Sequence, residues 1–134
     1  MARTLALDVG DRRIGIALSD PQGILASPVT IVERTGEGRA ERAILDIIEK
    51  HAVGKIIVGL PVSMDGAIGP QATKTKSFAE SLRLKTAVPI DYRDERLSTV
   101  SAMRLKPSKS KNKKFHHDAM AAAVILQSYL DETL

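Results

Sequence analysis

The sequence contains no cysteine and no tryptophan, and aromatic side chains make up only 3% of its 134 residues. Without cysteine the chain can form no disulfide, no thiolate zinc site and no cysteine nucleophile. With so few aromatic rings, base stacking is poorly supplied as a way of holding single-stranded nucleic acid. Any binding to nucleic acid would therefore depend on the phosphate backbone and on shape more than on base-specific contacts.

Long hydrophobic runs are also lacking. No stretch approaches the ~20 consecutive apolar residues of a membrane-spanning helix. The early apolar run is interrupted by Asp8 and Asp11, so the signal-peptide pattern is missing as well. Hydrophobic residues nevertheless make up 43% of the chain, enough for a packed core. We expect a soluble cytoplasmic protein with one domain over residues 1–134.

Acidic residues are absent between Arg96 and His117, although the chain as a whole has a net charge of only +4. Proline, serines and lysines between residues 106 and 114 predict a loop there. This segment is either a solvated loop or a basic arm that contacts phosphate backbones. The candidate residues for binding nucleic acid here are Arg96, Lys106, Lys109, Lys111, Lys113 and Lys114.

Hydrophobic periodicity predicts alternating strands and helices. We expect strands at about residues 3–9, 14–19, 26–33, 55–59 and 88–92. We expect helices at about residues 37–51, 70–86 and 118–131. The order β-β-β-α-β-α-β-α predicts an α/β fold with a mixed five-stranded sheet, in which a three-strand antiparallel meander is joined to parallel strands and flanked by helices.

Asp8 lies inside an apolar strand, where a carboxylate must be neutralised by a nearby arginine, by backbone N–H groups or by a metal. In sheets of this type, ligands bind beyond the carboxyl ends of the parallel strands. Asp8, Glu95 and Asp118 can converge at that edge. Simpler interpretations remain open, because Glu95 could pair with a surface arginine and Asp118 could cap the start of the last helix.

Four motifs, in this order, resemble the YqgF family over essentially the whole chain. They are Leu7–Gly10 with Arg13–Ala17 and Ser19-Asp20, then Gly59–Pro61 with Asp65-Gly66, then Asp94–Thr99, and finally Asp118–Leu126. Members of that family are RNase H-like proteins, described as Holliday junction resolvases and as nucleases that mature the 5′ end of pre-16S ribosomal RNA. The resemblance implies an RNase H-like fold, an acidic triad of Asp8, Glu95 and Asp118, and a phosphate contact at Arg13.

The chemistry that this resemblance implies is phosphodiester hydrolysis. Three neighbouring carboxylates repel one another, and Mg²⁺, with Mn²⁺ as a substitute, would relieve that repulsion. Two ions about 3.5–4 Å apart could hold the scissile phosphate. We expect Asp8 to bridge them, with Glu95 and Asp118 each completing one metal shell. His116 and His117 precede Asp118 and are left without a role.

Three functions stay open. The first is a metal-dependent endonuclease or exonuclease acting on ribosomal RNA precursor or on branched DNA; the RNA substrate would imply association with the ribosomal subunit, and a two-fold symmetric junction would favour a homodimer. The second is an ATP-binding domain, since an Asp-x-Gly strand also opens actin-like ATPases, although 134 residues provide only one of the two domains needed. The third is a nucleic-acid-binding module without catalytic activity.

Overall fold

A computed structural model of the chain describes residues 2–34, 38–62, 65–98 and 113–133, and for residues 97, 98 and 113–118 it describes the backbone only. The elements, in chain order, are β1 (Arg3–Val9), β2 (Arg13–Ser19), β3 (Ala26–Glu33), α1 (Arg39–Lys50), β4 (Val53–Leu60), α2 (Pro70–Arg83), β5 (Ile90–Asp94), a short 3₁₀ helix (Glu95–Ser98) and α3 (Lys113–Thr133). This order confirms the predicted succession of strands and helices.

The five strands form one mixed sheet in the order β3-β2-β1-β4-β5. Strands β1, β2 and β3 pair antiparallel, as tight turns between consecutive strands require. Strand β4 pairs parallel with β1 and with β5, and each parallel step is reached through a helix. The predicted meander with added parallel strands is thus confirmed, and β1 lies at the centre of the sheet.

One face of the sheet, here called the large-residue face, is covered by α1 and α2. Ile44 and Ile48 of α1 and Phe78 and Leu82 of α2 are buried against it. Leucine, isoleucine and valine side chains of the strands, mostly at alternate positions, supply the other half of this core, namely Leu5, Leu7, Val9, Ile14, Ile16, Leu18, Val53, Ile56, Val58 and Ile90.

The opposite face, here called the alanine face, is covered by α3. Ala6, Ala17 and Ala26 of the strands pack against Ala122 and Ala123 of the helix. Small side chains on both partners let the helix and the sheet approach closely. No helix among the described segments is long and apolar enough to cross a membrane.

The start of α3 differs from the prediction. The helix begins at Lys113 and not at about residue 118, so Asp118 lies inside it and the interpretation of Asp118 as a helix cap is wrong. Lys113 and Lys114, predicted as loop, are its first residues. Lysine favours helix, and the sequence has no proline or glycine between Pro107 and Asp118 to stop the helix from extending in that direction.

Candidate active site

The candidate site lies at the edge of the sheet where the parallel strands β1, β4 and β5 end. Asp8 is the penultimate residue of β1, and Glu95 immediately follows β5. Leu7 pairs with Val58 in the parallel register, which brings Gly59 of β4 beside Asp8. The edge that the sequence predicted therefore brings Asp8 and Glu95 together.

The carboxyl groups of Asp8 and Glu95 interact directly. The pKa of Glu95 is raised from its usual 4.5 to about 7, first by burial and then by Coulombic repulsion from Asp8 and a hydrogen bond with it. Asp94 contributes a smaller repulsion. Two carboxyl groups that share a site in this way resist being ionised together, which is the electrostatic condition that a bound cation relieves.

Gly59 forms the floor under Glu95. A Cβ atom at this position would lie 3.0 Å from Oε1 and 3.2 Å from Cγ of Glu95, and it would collide with Cδ1 of Ile125. Any other residue here would therefore force the side chains of Glu95 and Ile125 to move. The missing side chain leaves the space in which Glu95 reaches Asp8.

The turn between β1 and β2 forms the other wall of the site. The N–H of Gly10 donates to the carbonyl of Arg13 at 2.8 Å, and a Cβ on Gly10 would lie only 2.8 Å from that oxygen. Gly15 is paired with Asp8 across the two strands. Nη1 of Arg34 donates to the carbonyl of Gly10 at 2.9 Å and ties the turn to the end of β3.

Two clefts flank Asp8. One, of about 230 Å³, is lined by Asp8, the turn residues Gly10, Arg12 and Arg13, and Gly15. The other, of about 250 Å³, lies between Asp8 and helix α3 and is lined by Asp8, Glu95, Ala121, Val124 and Ile125. Asp8 thus borders two clefts, one lined by a basic turn and the other by the middle of helix α3.

Polar contacts join helix α3 to both edge strands of the sheet, β3 and β5. Gln127 accepts from the N–H of Ala26 and donates to the carbonyl of Ile24, both at 2.9 Å. On the far side, Arg93 of β5 donates to Oγ of Ser128 at 2.7 Å. These contacts fix the helix relative to both edges of the sheet.

Comparison with known proteins gives a consistent result. The family model described as RuvX, Holliday junction resolvase, matches residues 2–132. The chain belongs to the RuvX family. A protein of Roseiflexus sp. (strain RS-1) named "Putative pre-16S rRNA nuclease" is 45% identical over 132 residues, covering 96% of this chain and 94% of that protein. One from Dehalococcoides mccartyi with the same name is 47% identical over 126 residues, covering 93% and 95%.

Solved structures agree on the fold of this RuvX family member. Thermus thermophilus RuvC in complex with a Holliday junction substrate superposes with a TM-score of 0.64 at 11% identity, covering 99% of this chain and 96% of that one. The fowlpox virus Holliday junction resolvase gives 0.56 at 13% identity, covering 98% and 99%. The resemblance to YqgF and the RNase H-like fold are both confirmed. With the family assigned, the chain is a hydrolase acting on nucleic acids, and the ATPase alternative falls away.

The donor set of the RuvX site suits a hard divalent cation. Asp8 and Glu95 offer carboxylate oxygens, the ligands that Mg²⁺ prefers, and one or two carboxylates are sufficient when substrate phosphate supplies the rest. Among the described residues, no group of three histidine, aspartate or glutamate side chains surrounds a common point. The side chain of Asp118, the third predicted ligand, lies outside that description.

The basic residues predicted to bind nucleic acid are distributed unevenly. Arg13 lines the cleft beside Asp8. Arg96 donates to Asp94 at 2.9 Å, so its pairing partner is the aspartate before Glu95. Lys106, Lys109 and Lys111 lie outside the described residues, and Lys113 and Lys114 are described by backbone alone. The role of the basic segment therefore stays a prediction.

Sequence reasoning found one contributor to the site only in outline and missed another. Gly59 was expected to help shape a wall of the crevice, but not to lie in contact distance of Glu95, although a glycine in a buried parallel strand is typical of a close approach by another group. Arg34 was not singled out, because nothing in the linear sequence places the end of β3 beside the turn after β1. That proximity appears only once the register of β2 and β3 is known, with Arg13 opposite Glu33.

Proposed function

We propose that this protein is a metal-dependent nuclease that hydrolyses a phosphodiester bond during maturation of the 5′ end of pre-16S ribosomal RNA. The observation that carries the proposal is the contact between Asp8 and Glu95 beside an open cleft, where burial and the neighbouring Asp8 together raise the pKa of Glu95 to about 7. The name shared by relatives at 45% and 47% identity supports the choice of substrate.

Mg²⁺, or Mn²⁺ in its place, is the cofactor that fits this donor set, with Asp8, Glu95 and Asp118 as its proposed ligands. When bound, such a cation supplies Lewis-acid charge stabilisation and lowers the pKa of a water. Asp118 precedes Ala121 by three positions and Ile125 by seven in α3. Residues at these spacings share one face of a helix, and Ala121 and Ile125 line the cleft beside Asp8.

Asp8, Glu95 and Arg13 each have a separate role in this proposal. Asp8 is a fixed ligand because β1 is the central strand and its neighbours Leu7 and Val9 are buried. Glu95 must lose the proton that burial and Asp8 favour before it can bind a cation. Arg13, on the opposite wall of the cleft, is placed to contact a substrate phosphate and so orient the scissile bond.

The test is an end-labelled cleavage assay in Mg²⁺ that sets a 5′-extended 16S ribosomal RNA precursor beside a four-way DNA junction. We expect cutting of the RNA by wild type, and none by Asp8→Asn or after chelation with EDTA. The lengths of the labelled products also distinguish an endonuclease from an exonuclease. Full metal-dependent cleavage by a folded Asp8→Asn protein would refute the assignment of the site.

Resolution of Holliday junctions is the second candidate, and the description of the RuvX family favours it. Cutting of the junction alone would establish it, and paired cuts would call for a homodimer. With the RNA substrate, our proposal includes action in the cytoplasm and association with an immature ribosomal subunit. Binding of both substrates without cleavage of either would leave a binding module.

A further inference from the structure

A second basic cleft adjoins the candidate active site. It measures about 340 Å³ and is lined by Arg12, Arg13, Glu33 and Arg34 at the ends of β2 and β3. Arg12 and Arg13 also line the cleft that contains Asp8. The two clefts therefore lie side by side along the end of the sheet, and the outer one is lined by three arginines and one glutamate.

Arg12 and Arg34 lie opposite each other on paired backbone segments of the second cleft. The N–H of Arg34 donates to the carbonyl of Arg12 at 2.9 Å, which continues the ladder one step beyond the pairing of Arg13 with Glu33. Like charges directly opposite on paired strands are destabilising. The backbone pairing therefore places two cationic residues at the same cleft, where a bound anion would offset any repulsion between them.

Arg34 is held in a fixed orientation. One of its guanidinium nitrogens donates to the carbonyl of Gly10 at 2.9 Å, and the group lies over the ring of Phe78 at 5.1 Å from the centroid. The guanidinium has five N–H donors, so donors remain for an anion after the bond to Gly10. A planar group held by stacking loses little conformational freedom on binding.

Arg12 is exposed, and among the described residues its side chain makes no hydrogen bond or ion pair. The neighbouring Asp11 pairs instead with Lys74, at 3.6 Å. Within the described part of the chain, the Arg12 guanidinium is therefore not engaged by a carboxylate and can pair with an anion.

We propose that Arg12 and Arg34 bind a second backbone phosphate of the substrate strand, outside the scissile one, as the strand leaves the cleft at Asp8. This inference rests on the proposed function for the nature of the strand. The phosphodiester is the recognised group, so RNA and DNA share the chemistry, and we commit to RNA. Arginine suits it because its planar fork matches the geometry of phosphate.

The test measures binding without cleavage, in the Asp8→Asn background. The dissociation constant for the 5′-extended RNA precursor and for the four-way DNA junction is determined over a range of salt concentrations. Arg12→Gln is compared with Lys50→Gln, which removes the same charge from an exposed residue. Lys50 is the last residue of α1, just before the start of β4, and so lies at the end of the strands away from the site. Arg12→Lys keeps the charge, and thermal unfolding checks each fold.

We expect Arg12→Gln to weaken RNA binding about 5-fold at low salt. The plot of the logarithm of the association constant against the logarithm of the salt concentration should become less steep by about 0.7 to 0.9, the contribution of one phosphate contact. Arg12→Lys should restore the slope, and Lys50→Gln should leave it unchanged. Equal slopes for Arg12→Gln and Lys50→Gln would overturn the inference, as would a protein that binds neither substrate, or an effect confined to DNA.

Failure of the proposed function gives a different result. A wild-type protein that never cuts, but whose RNA binding depends on Arg12, would refute the nuclease and support the phosphate site. A protein that cuts the precursor with Mg²⁺, while Arg12→Gln binds with an unchanged slope, would keep the nuclease and overturn the phosphate site.

Discussion

The two faces of the sheet are packed by different residues and serve different ends. The large-residue face buries branched aliphatic side chains under α1 and α2, and the alanine face buries small ones under α3. Asp8 and Leu7 are consecutive in β1, and alternation along a strand sends their side chains to opposite faces. The charged site thus opens on the alanine face, while the large-residue face supplies the larger share of apolar burial.

This separation has a physical reason. A carboxylate pair loses less hydration beside a cleft than inside a core of large side chains, where an unpaired charge is very costly. Small residues under α3 let the helix pass close to the end of β1, so its own residues can reach the site. Substitutions on the two faces should therefore separate loss of activity from loss of stability.

The largest expected effect is on the alanine face. Asp8→Asn removes a proposed metal ligand with almost no change in volume, and we expect the cleavage rate to fall by at least ~10³-fold, or about 4 kcal/mol of transition-state stabilisation. Asp11→Asn is the matched control, because Asp11 is an exposed aspartate in the adjoining turn. Single-turnover cleavage of the RNA precursor measures both. Comparable losses in the two variants would place the charge requirement outside the proposed site.

The next effect is on the large-residue face. Leu7 is fully buried, and Leu7→Ala should lower the free energy of unfolding by about 3 kcal/mol through lost transfer energy and a cavity. At a temperature where the variant stays folded, its cleavage rate should remain within about 2-fold of wild type, since Leu7 does not face the cleft. Urea unfolding measures the predicted loss of stability, and cleavage assays measure the predicted rate. A rate that drops with full folding would show that the faces are coupled.

Gly59 lies on the alanine face, under the site. In Gly59→Ala the new methyl group would press on Glu95 and Ile125. A displacement of Glu95 by a fraction of an ångström should cost ~10- to 100-fold in cleavage rate.

Gly69→Ala is the control for Gly59→Ala, because Gly69 has a φ of −87° and its added Cβ would meet nothing within 4 Å. The Mg²⁺ concentration for half-maximal activity should rise for the former only. A Gly59→Ala protein that is less stable but has an unchanged requirement for Mg²⁺ would give Gly59 a purely packing role.

Much of the fold could be predicted from the sequence because its periodicities are clean. The predicted strand 3–9 matches β1, and Ala72, Ala79 and Leu82 of the second predicted helix are all buried. The start of α3 could not be predicted in the same way. The signal there was the switch to an apolar run, but a lysine-rich turn can be helical without being apolar.

The candidate site was predictable in part. Asp8 was identifiable because a charge inside an apolar strand needs an explanation, and Glu95 because it follows a strand that ends at the same edge. Arg34 was not identifiable, since its place beside Gly10 depends on the register of two antiparallel strands. The floor at Gly59 depends on distances between β4, Glu95 and α3, which no local pattern encodes.

The smallest expected effect concerns stability and pH. Because the pKa of Glu95 is raised from 4.5 to about 7, the folded protein holds a proton over this range that the unfolded chain has released. The corresponding stability is fully present below pH 4.5 and is lost as the pH rises through about 7. Glu95→Gln, which is neutral throughout, should therefore gain stability relative to wild type between pH 5 and pH 8, in EDTA.

The gain should be on the order of 1 kcal/mol, since Glu95 is partly solvated, or a rise of ~3–5 °C in the melting temperature. Glu80→Gln is the control, because a hydrogen bond from Tyr92 and one from Arg83 lower the pKa of Glu80. The Glu80 carboxylate is therefore ionised throughout pH 5 to 8 and loses its stabilising charge only in more acidic solution. The difference in unfolding free energy between Glu80→Gln and wild type should accordingly not change with pH over this range. Added Mg²⁺ should stabilise wild type at pH 8 more than it stabilises Glu95→Gln, because the amide that replaces the ionised carboxylate is an uncharged and weaker ligand. If the difference between wild type and Glu95→Gln were flat from pH 5 to pH 8, Asp8 and Glu95 would not share a proton, and the electrostatic contrast between the two faces would lose its basis.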